Sequence, residues 1–456
     1  MSMFVIHYLY AHLFMMLCAE GRVTGALIKP WDGIVLILHL SDIHFRQSEI
    51  RTVQDPNFHL RNELVRDVVK QCKKLGSPDV IIISGDVAFA GAPEEFAFAT
   101  QWLADLCEKC GSSMETIFVV PGNHDVVRRQ ADSNLVQMIH RTIKAAGDDP
   151  DYEIAKQLND PATQRLLYES LDNYNQFALQ FFCDLLPPER TRVERDLTLN
   201  DGSILRLWGL NSAFLSSSYD QPRDIFVDPA SFQITRQYGV TNLVVTHHHL
   251  SWLRQARALE DHLNTVAPVQ IFGHVHINRI ERNRDFLRLT ASAANPDRRE
   301  TGWEPGYNFI RLHVEGGPES RVLHSHSHVR VWQTSPTGFY PKMDEDSLFF
   351  EHTIKLEDWY PPALKMSPEN DLPVTSELKA MLSGKDETID NMRDIALRFY
   401  KLAFSQKLEI AGRLELLEEE DMQLPDFERF RRIFIRASSR EIVGQLADAV
   451  TAAEKE

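Results

Sequence analysis

The chain has 456 residues, 43% hydrophobic and 25% charged, enough for two or three domains and a large core. Its formal net charge of −16 counts against a surface built for unspecific nucleic-acid binding, which needs clustered Lys and Arg, but leaves room for a local basic groove. The scattered cysteines (Cys18, Cys72, Cys107, Cys110, Cys183) exclude a disulfide framework and suit a reducing cytoplasm; Cys107 and Cys110 form C-x-x-C without a second pair at zinc spacing and read as free thiols.

In chain order, MSMFVIHYLYAHLFMMLCAEG comes first, an apolar run shorter than a membrane span. It lacks the basic residues that precede a signal core, and Leu17 stands where a lipoprotein site wants a small residue before Cys18. Residues 1–33 are therefore an extra packing segment, a degenerate signal, or residues ahead of the true start codon. The clean onset of globular patterning near Gly33 favours the first and the last. No membrane association is expected, and the expected compartment is the cytoplasm.

From Ile34 strands and helices alternate. IVLILHL ends in SDIHF; a helix is predicted over about 58–75, with Leu60, Leu64, Val68 and Cys72 on one face. DVIIIS ends in GDVAFAG, Pro93 opens a helix, and TIFVV ends in PGNHD. Short apolar runs separated by helices predict a mainly parallel sheet covered on both faces. A polar, helical insertion is predicted over about 126–188. Strands resume at SILRLWGLN, NLVVTHHH, VQIFGHVHI, FLRLTAS, YNFIRLHV and RVLHSHSHVRVW, the later ones alternating in polarity as in an antiparallel second sheet. The fold class is α/β, a two-sheet α/β sandwich ending near residue 350. Beyond the Pro-containing stretch 360–373, residues 374–456 predict a small C-terminal helical bundle, with Ser405 and Asp426 as N-caps.

Polar residues collect at the strand ends: Asp42 and His44, then Asp86, then Asn123, His124 and Asp125, then His247, His248 and His249, then His274 and His276. In a parallel α/β sheet these ends share one edge, where ligands bind. Each piece alone reads as an ordinary turn; five in order do not. Mixed nitrogen and oxygen donors suit two divalent ions, Mn²⁺ first, with Fe²⁺ and Zn²⁺ as alternatives. Two such ions roughly 3.5–4 Å apart can clamp a phosphate, and the single carboxylate of Asp86 is a natural bridge.

D-x-H, G-D, G-N-H-D, a His after a strand and G-H-x-H resemble the calcineurin-like metallophosphoesterase superfamily over about residues 34–335. The resemblance implies one metal on Asp42, His44, Asp86 and His276 and a second on Asp86, Asn123, His247 and His274. It further implies attack by a metal-bridging hydroxide on phosphorus. His247 is chosen as the first His of VVTHHH, with His248 one position away. His124 is implied to contact the phosphate and assist the leaving oxygen, and Asp125 joins it as a catalytic candidate, more to shape the turn than to react. The Tyr that follows the bridging Asp in purple acid phosphatases is absent from Gly85-Asp86-Val87-Ala88-Phe89, and so are the G-D-x-V-D-R-G and G-N-H-E patterns of phosphoprotein phosphatases. HLSDIHF, ISGDVAFAG and VPGNHDV look like bacterial phosphodiesterases of the cyclic-nucleotide type, so the expected substrate is a phosphodiester in a nucleotide or nucleic acid. A nuclease within a bacterial defence or signalling system is the alternative.

Arg46, Arg128 and Arg129 are candidates for substrate phosphate or plain surface residues. His324, His326 and His328 alternate on one strand and read as a solvent-facing row or cap contact, with an extra metal site as the lesser reading. KLEIAGRLELLEEEDMQLPDFERFRRIF vaguely resembles small helical adaptor domains of bacterial defence and signalling systems, which implies a protein partner. The rival class is a non-catalytic scaffold acting through this tail.

Overall fold

In the computed structural model, residues 33–361 and 392–455 are described, except 54, 148, 189, 300 and 393. The apolar segment before Gly33, most of 360–373 and the expected start of the bundle at 374 lie outside the described residues.

The first half runs β1 (Val35–Leu40), α1 (Phe58–Leu75), β2 (Val80–Ile83), α2 (Pro93–Cys110) and β3 (Ile117–Val119). The three strands are buried along their whole length, as their unbroken apolar runs require, and pair in parallel. Helices then fill 128–178: a single turn at Arg128–Ala131, α3 (Asn134–Lys144), α4 (Pro150–Asn159), α5 (Pro161–Tyr168) and α6 (Asp172–Ala178).

β4 (Arg192–Thr198), β5 (Ile204–Leu210), β6 (Val240–Thr246), α7 (Ala256–Val266), β7 (Val269–Phe272), β8 (Arg279–Arg282) and β9 (Leu287–Thr290) build the second sheet, in the order β4-β5-β6-β7-β9-β8. Its centre, β5 to β9, is parallel, and only the edges β4 and β8 are antiparallel. The late strands β10 (Gly306–Glu315), β11 (Val322–Thr334), β12 (Thr337–Pro341) and β13 (Phe350–Lys355) do not form that sheet, contrary to the polarity reading. They are antiparallel as expected, but β10 pairs with β1 and so extends the first sheet. Alternating polarity reports a strand with one less-buried face; it does not name the neighbour.

One apolar core joins both sheets, from Ile37 and Ile82 to Leu207, Val245 and Ile271, with Leu60, Leu64 and Leu103 from the helices. A separate core holds the C-terminal helices α8 (Phe404–Arg413), α9 (Asp426–Ser439) and α10 (Val443–Ala453) around Phe399, Ile433 and Leu446. The N-caps differ from expectation. α8 begins one residue before Ser405, because the Gln406 side chain returns to accept the Ala403 N–H at 2.9 Å. Asp426 is the first helical residue after Pro425, where its charge still favours the helix N-terminus.

The bundle is tied to the chain after α6 by a charge network in which two buried acids, Asp184 and Glu428, meet two half-buried arginines. Asp184 pairs with Arg190 at 2.9 Å and with Arg431, and Arg190 reaches Glu428 at 2.6 Å.

Candidate metal centre

The strand-end residues converge from both sheets. Asp42 and His44 follow β1, Asp86 follows β2, and Asn123 to Asp125 follow β3; His247 follows β6, and His274 and His276 follow β7. Five of these, Asp42, His44, Asp86, His274 and His276, have φ between 51° and 70°, a left-handed backbone that L-residues seldom adopt. Sharp turns of this kind swing each side chain back over its own strand end.

Asp86 stands at the middle. Its Oδ1 accepts the backbone N–H of His124 at 2.7 Å. Its Oδ2 lies 3.2 Å from His44 Nε2 and 3.3 Å from His247 Nε2. On one side His276 Nε2 is 3.1 Å from Asp42 Oδ1. On the other, His247 Nε2 is 3.1 Å from Asn123 Oδ1 and 3.3 Å from His274 Nδ1. Asp42, His44 and His276 form one group able to hold a metal ion, and Asp42, Asp86 and His247 another. His248 Nδ1 is 2.8 Å from Ser212 Oγ, yet His247, His248 and His274 also form a group whose ligand atoms could hold a metal ion. His249 faces Ser251 instead.

Close packing enforces this placement. A Cβ on Gly85, which has φ +97°, would sit 2.4 Å from His247 Nδ1, and one on Gly122 would sit 2.1 Å from Asp86 Oδ1. Burial alone would push the Asp86 carboxyl up. The charges of His247 and His124 and hydrogen bonds from His247 and His44 outweigh it and hold Asp86 well below the usual carboxylate range. Burial pulls His247 down, but the Asp86 and Asp42 carboxylates prevail and raise it to about 9. Burial and the His247 charge depress His274 to about 3.

Asn123, His124 and Asp125 part company. Asn123 faces His247. His124 Nδ1 lies 2.8 Å from the Phe89 carbonyl, which only accepts, so this nitrogen carries the proton and Nε2 is left as the acceptor. Burial lowers the affinity of His124 for a second proton. Asp125 is fully buried and accepts N–H groups from Asp86 and Gly122, both at 2.9 Å, and from Ala88 at 2.8 Å. Burial and the Asp86 charge push its carboxyl upward, against the pull of those donors.

The model of the family described as "Calcineurin-like phosphoesterase" matches residues 35–278, more than half of the chain. The chain belongs to that family. Residues 391–452 of this calcineurin-like phosphoesterase family member match a second model, the GTPase-associated adaptor domain. Glycerophosphodiester phosphodiesterase GpdQ of Enterobacter lignolyticus (strain SCF1) is 34% identical over 92 residues, 20% of this chain and 30% of that protein. The uncharacterized metallophosphoesterase-like protein YydB of Bacillus subtilis (strain 168) is 21% identical over 316 residues, 66% of this chain. The chain thus spans 30% and 60% of the lengths of these two relatives. Among solved structures, purple acid phosphatase PPD1 from yellow lupin (Lupinus luteus) seeds aligns at 11% identity and a TM-score of 0.36, over 73% of this chain and 57% of that one.

The strand-end centre has supports that its motifs do not announce. The Phe89 ring stacks on His124 at 4.9 Å, and Arg46 lies over the other part of this stack, 3.6 Å from the Phe89 centroid. Arg46 also reaches Asp297 at 3.4 Å. Arg128 Nη2 is 3.3 Å from His124 Nδ1, whereas Arg129 is exposed. Buried Glu95 accepts N–H groups from Gln47, Phe89, Ala90 and Ala92 at 2.9–3.2 Å, pinning the loop that carries Phe89. Its signal was present in the sequence, an acid two residues after a helix-opening proline. Trp252 meets His274 edge-on at 4.2 Å, which no spacing rule points to. Cys107 and Cys110 are buried free thiols on α2.

Proposed function

We propose that the protein is a dinuclear metal-dependent phosphodiesterase of the cytoplasm acting on a nucleotide or nucleic acid. The observation that carries this is the division of labour on Asp86: Oδ1 is taken by a backbone N–H, while Oδ2 stands between two sets of imidazole and oxygen donors. Asp42, His44, Asp86 and His276 would hold one ion; Asp86, Asn123, His247 and His274 would hold the other. The buried, mixed nitrogen and oxygen donors fit Mn²⁺ best, with Fe²⁺ or Zn²⁺ acceptable. When bound, two such ions supply Lewis-acid charge to a phosphoryl oxygen and a nucleophile from water near neutral pH.

The chain's own groups do the rest. The ligands arrive on backbone fixed by two sheets, so little reorganisation accompanies reaction. His124, fixed by the Phe89 carbonyl and ring, presents Nε2 to the substrate and handles the proton of the leaving oxygen. Asp125 is a positioning residue that ties the β2 and β3 turns together. The stretch matched at 391–452 is proposed as a recruitment module for a protein partner, for which the matched domain's name suggests a GTPase system.

The test is a Mn²⁺ assay with an aryl phosphodiester, cyclic nucleotides, single- and double-stranded DNA, RNA and phosphomonoesters. Asp86→Asn should abolish turnover, and His124→Ala should lower it about 10²–10⁴-fold. Tightly bound metal with no turnover of any diester or monoester would refute the proposal; failure to retain metal would favour the scaffold.

A further inference from the structure

The histidine row of β11 acquires partners from β10. In the antiparallel register His313 lies directly opposite His324, and Glu315, two residues on, shares their face. His313 Nε2 is 3.0 Å from one carboxylate oxygen of Glu315, and His324 Nε2 is 3.5 Å from the other. The two imidazoles stack at 5.1 Å between centroids. All three ligand atoms lie within 4.8 Å of one another, and among the described residues this is the one such group that shares no member with the strand-end centre.

We propose that His313, Glu315 and His324 form a second, separate metal site for a borderline divalent ion such as Zn²⁺. Two donors each about 2.0–2.1 Å from a tetrahedral zinc stand about 3.4 Å apart. The two imidazole–carboxylate separations, 3.0 and 3.5 Å, bracket that value, so small side-chain rotations close the site around an ion. The donors stand on a ladder of ten residue pairs, so the backbone ordering that a metal site needs is already in place. Imidazole pairs select Zn²⁺, Ni²⁺ or Cu²⁺ over Mg²⁺ and Ca²⁺.

The surroundings set the limits of the site. His326, the next residue of the row, has its ring 5.8 Å from that of His313 but turns toward Glu351 at 3.7 Å. It also lies opposite Arg311, whose charge opposes a cation there. The fourth position therefore falls to solvent or an external donor, on the side where Glu315 is 61% exposed; the histidines are only 18% and 20% exposed. Three protein ligands with one open position is the pattern of a reactive or bridging zinc, as opposed to a closed structural one.

Zn²⁺ alone is the probe. Full-length wild type, the double variant His313→Ala/His324→Ala and Glu315→Gln are dialysed against the same buffered Zn²⁺ and analysed for bound metal, with circular dichroism to verify the fold. The expected result is about one equivalent less zinc in the double variant, a smaller loss in Glu315→Gln, and unchanged Mn²⁺-dependent turnover in both. Asp86→Asn should keep this equivalent, which separates the site from the proposed catalytic centre. Equal zinc in wild type and the double variant overturns the proposal; if the double variant misfolds, unchanged zinc in Glu315→Gln does so.

Discussion

Replacing Asp125 by Asn exchanges one oxygen of a buried carboxylate for an amide NH₂, in a place where every neighbour is a donor. One oxygen accepts from Asp86 N and Gly122 N, the other from Ala88 N. The best orientation of Asn keeps its oxygen on the pair and turns NH₂ against the Ala88 N–H. That buried donor then lacks a partner at a cost of about 1–3 kcal/mol, and the two remaining bonds lose their charged acceptor, so the total is about 2–4 kcal/mol. Asp125→Ala strips all three donors and should cost about 3–6 kcal/mol. Urea unfolding at fixed metal concentration measures both, and a pH–rate profile on an aryl phosphodiester accompanies it. The expected outcome is lower stability and a reduced rate with the profile's shape retained. Unchanged stability together with loss of one limb of the profile would mean that Asp125 reacts directly, and the positioning argument would fail.

Gly85→Ala drives a Cβ into the His247 ring, and should lower metal content and reduce kcat/KM about 10²-fold; full activity would refute the close packing. His140 on α3 is buried, and burial pushes it down to about 4 from an ordinary 6.5. The unfolded chain therefore binds this proton first as pH falls: its contribution is whole above pH 6.5 and drains by about 3 kcal/mol toward pH 4. Urea midpoints across that window should fall less steeply in His140→Gln than in wild type. Asp184→Asn leaves the half-buried Arg190 and Arg431 without their shared carboxylate, though Arg190 keeps Glu428, at a cost of about 1–3 kcal/mol. Hydrogen exchange should then rise in α9, and an unchanged rate there would remove this ion network as the tie between the bundle and the chain after α6.

The first three strands and their helices are legible in the sequence because fully buried parallel strands leave unbroken apolar runs, and Pro93 fixes a helix start. The chain also announces the ligand types, since a carboxylate or imidazole after each run has few other uses in such numbers. Pairing between distant segments is not legible: β1 and β10 meet through pairs such as Leu36 with Arg311, and nothing local in either strand encodes the other. For the same reason Glu315 and His313 are invisible as partners of His324. The choice of His247 over His248 rested on a family pattern; His247 Nε2 lies 3.3 Å from Asp86 and His248 Nδ1 is engaged by Ser212, but both rings belong to one group able to hold a metal ion. Asp125 is the clearest case of a role hidden from sequence, because its partners are backbone N–H groups that every residue but proline carries.

The left-handed backbone at Asp42, His44, Asp86, His274 and His276 has an evolutionary consequence. Each such residue gives up about 1 kcal/mol that glycine would recover, and each is also a candidate ligand. Selection for heat resistance without selection for turnover should therefore collect glycines at these five positions first. The lineage would grow sturdier as it lost its chemistry, and the order in which those glycines appeared would rank the five turns by the tension they hold.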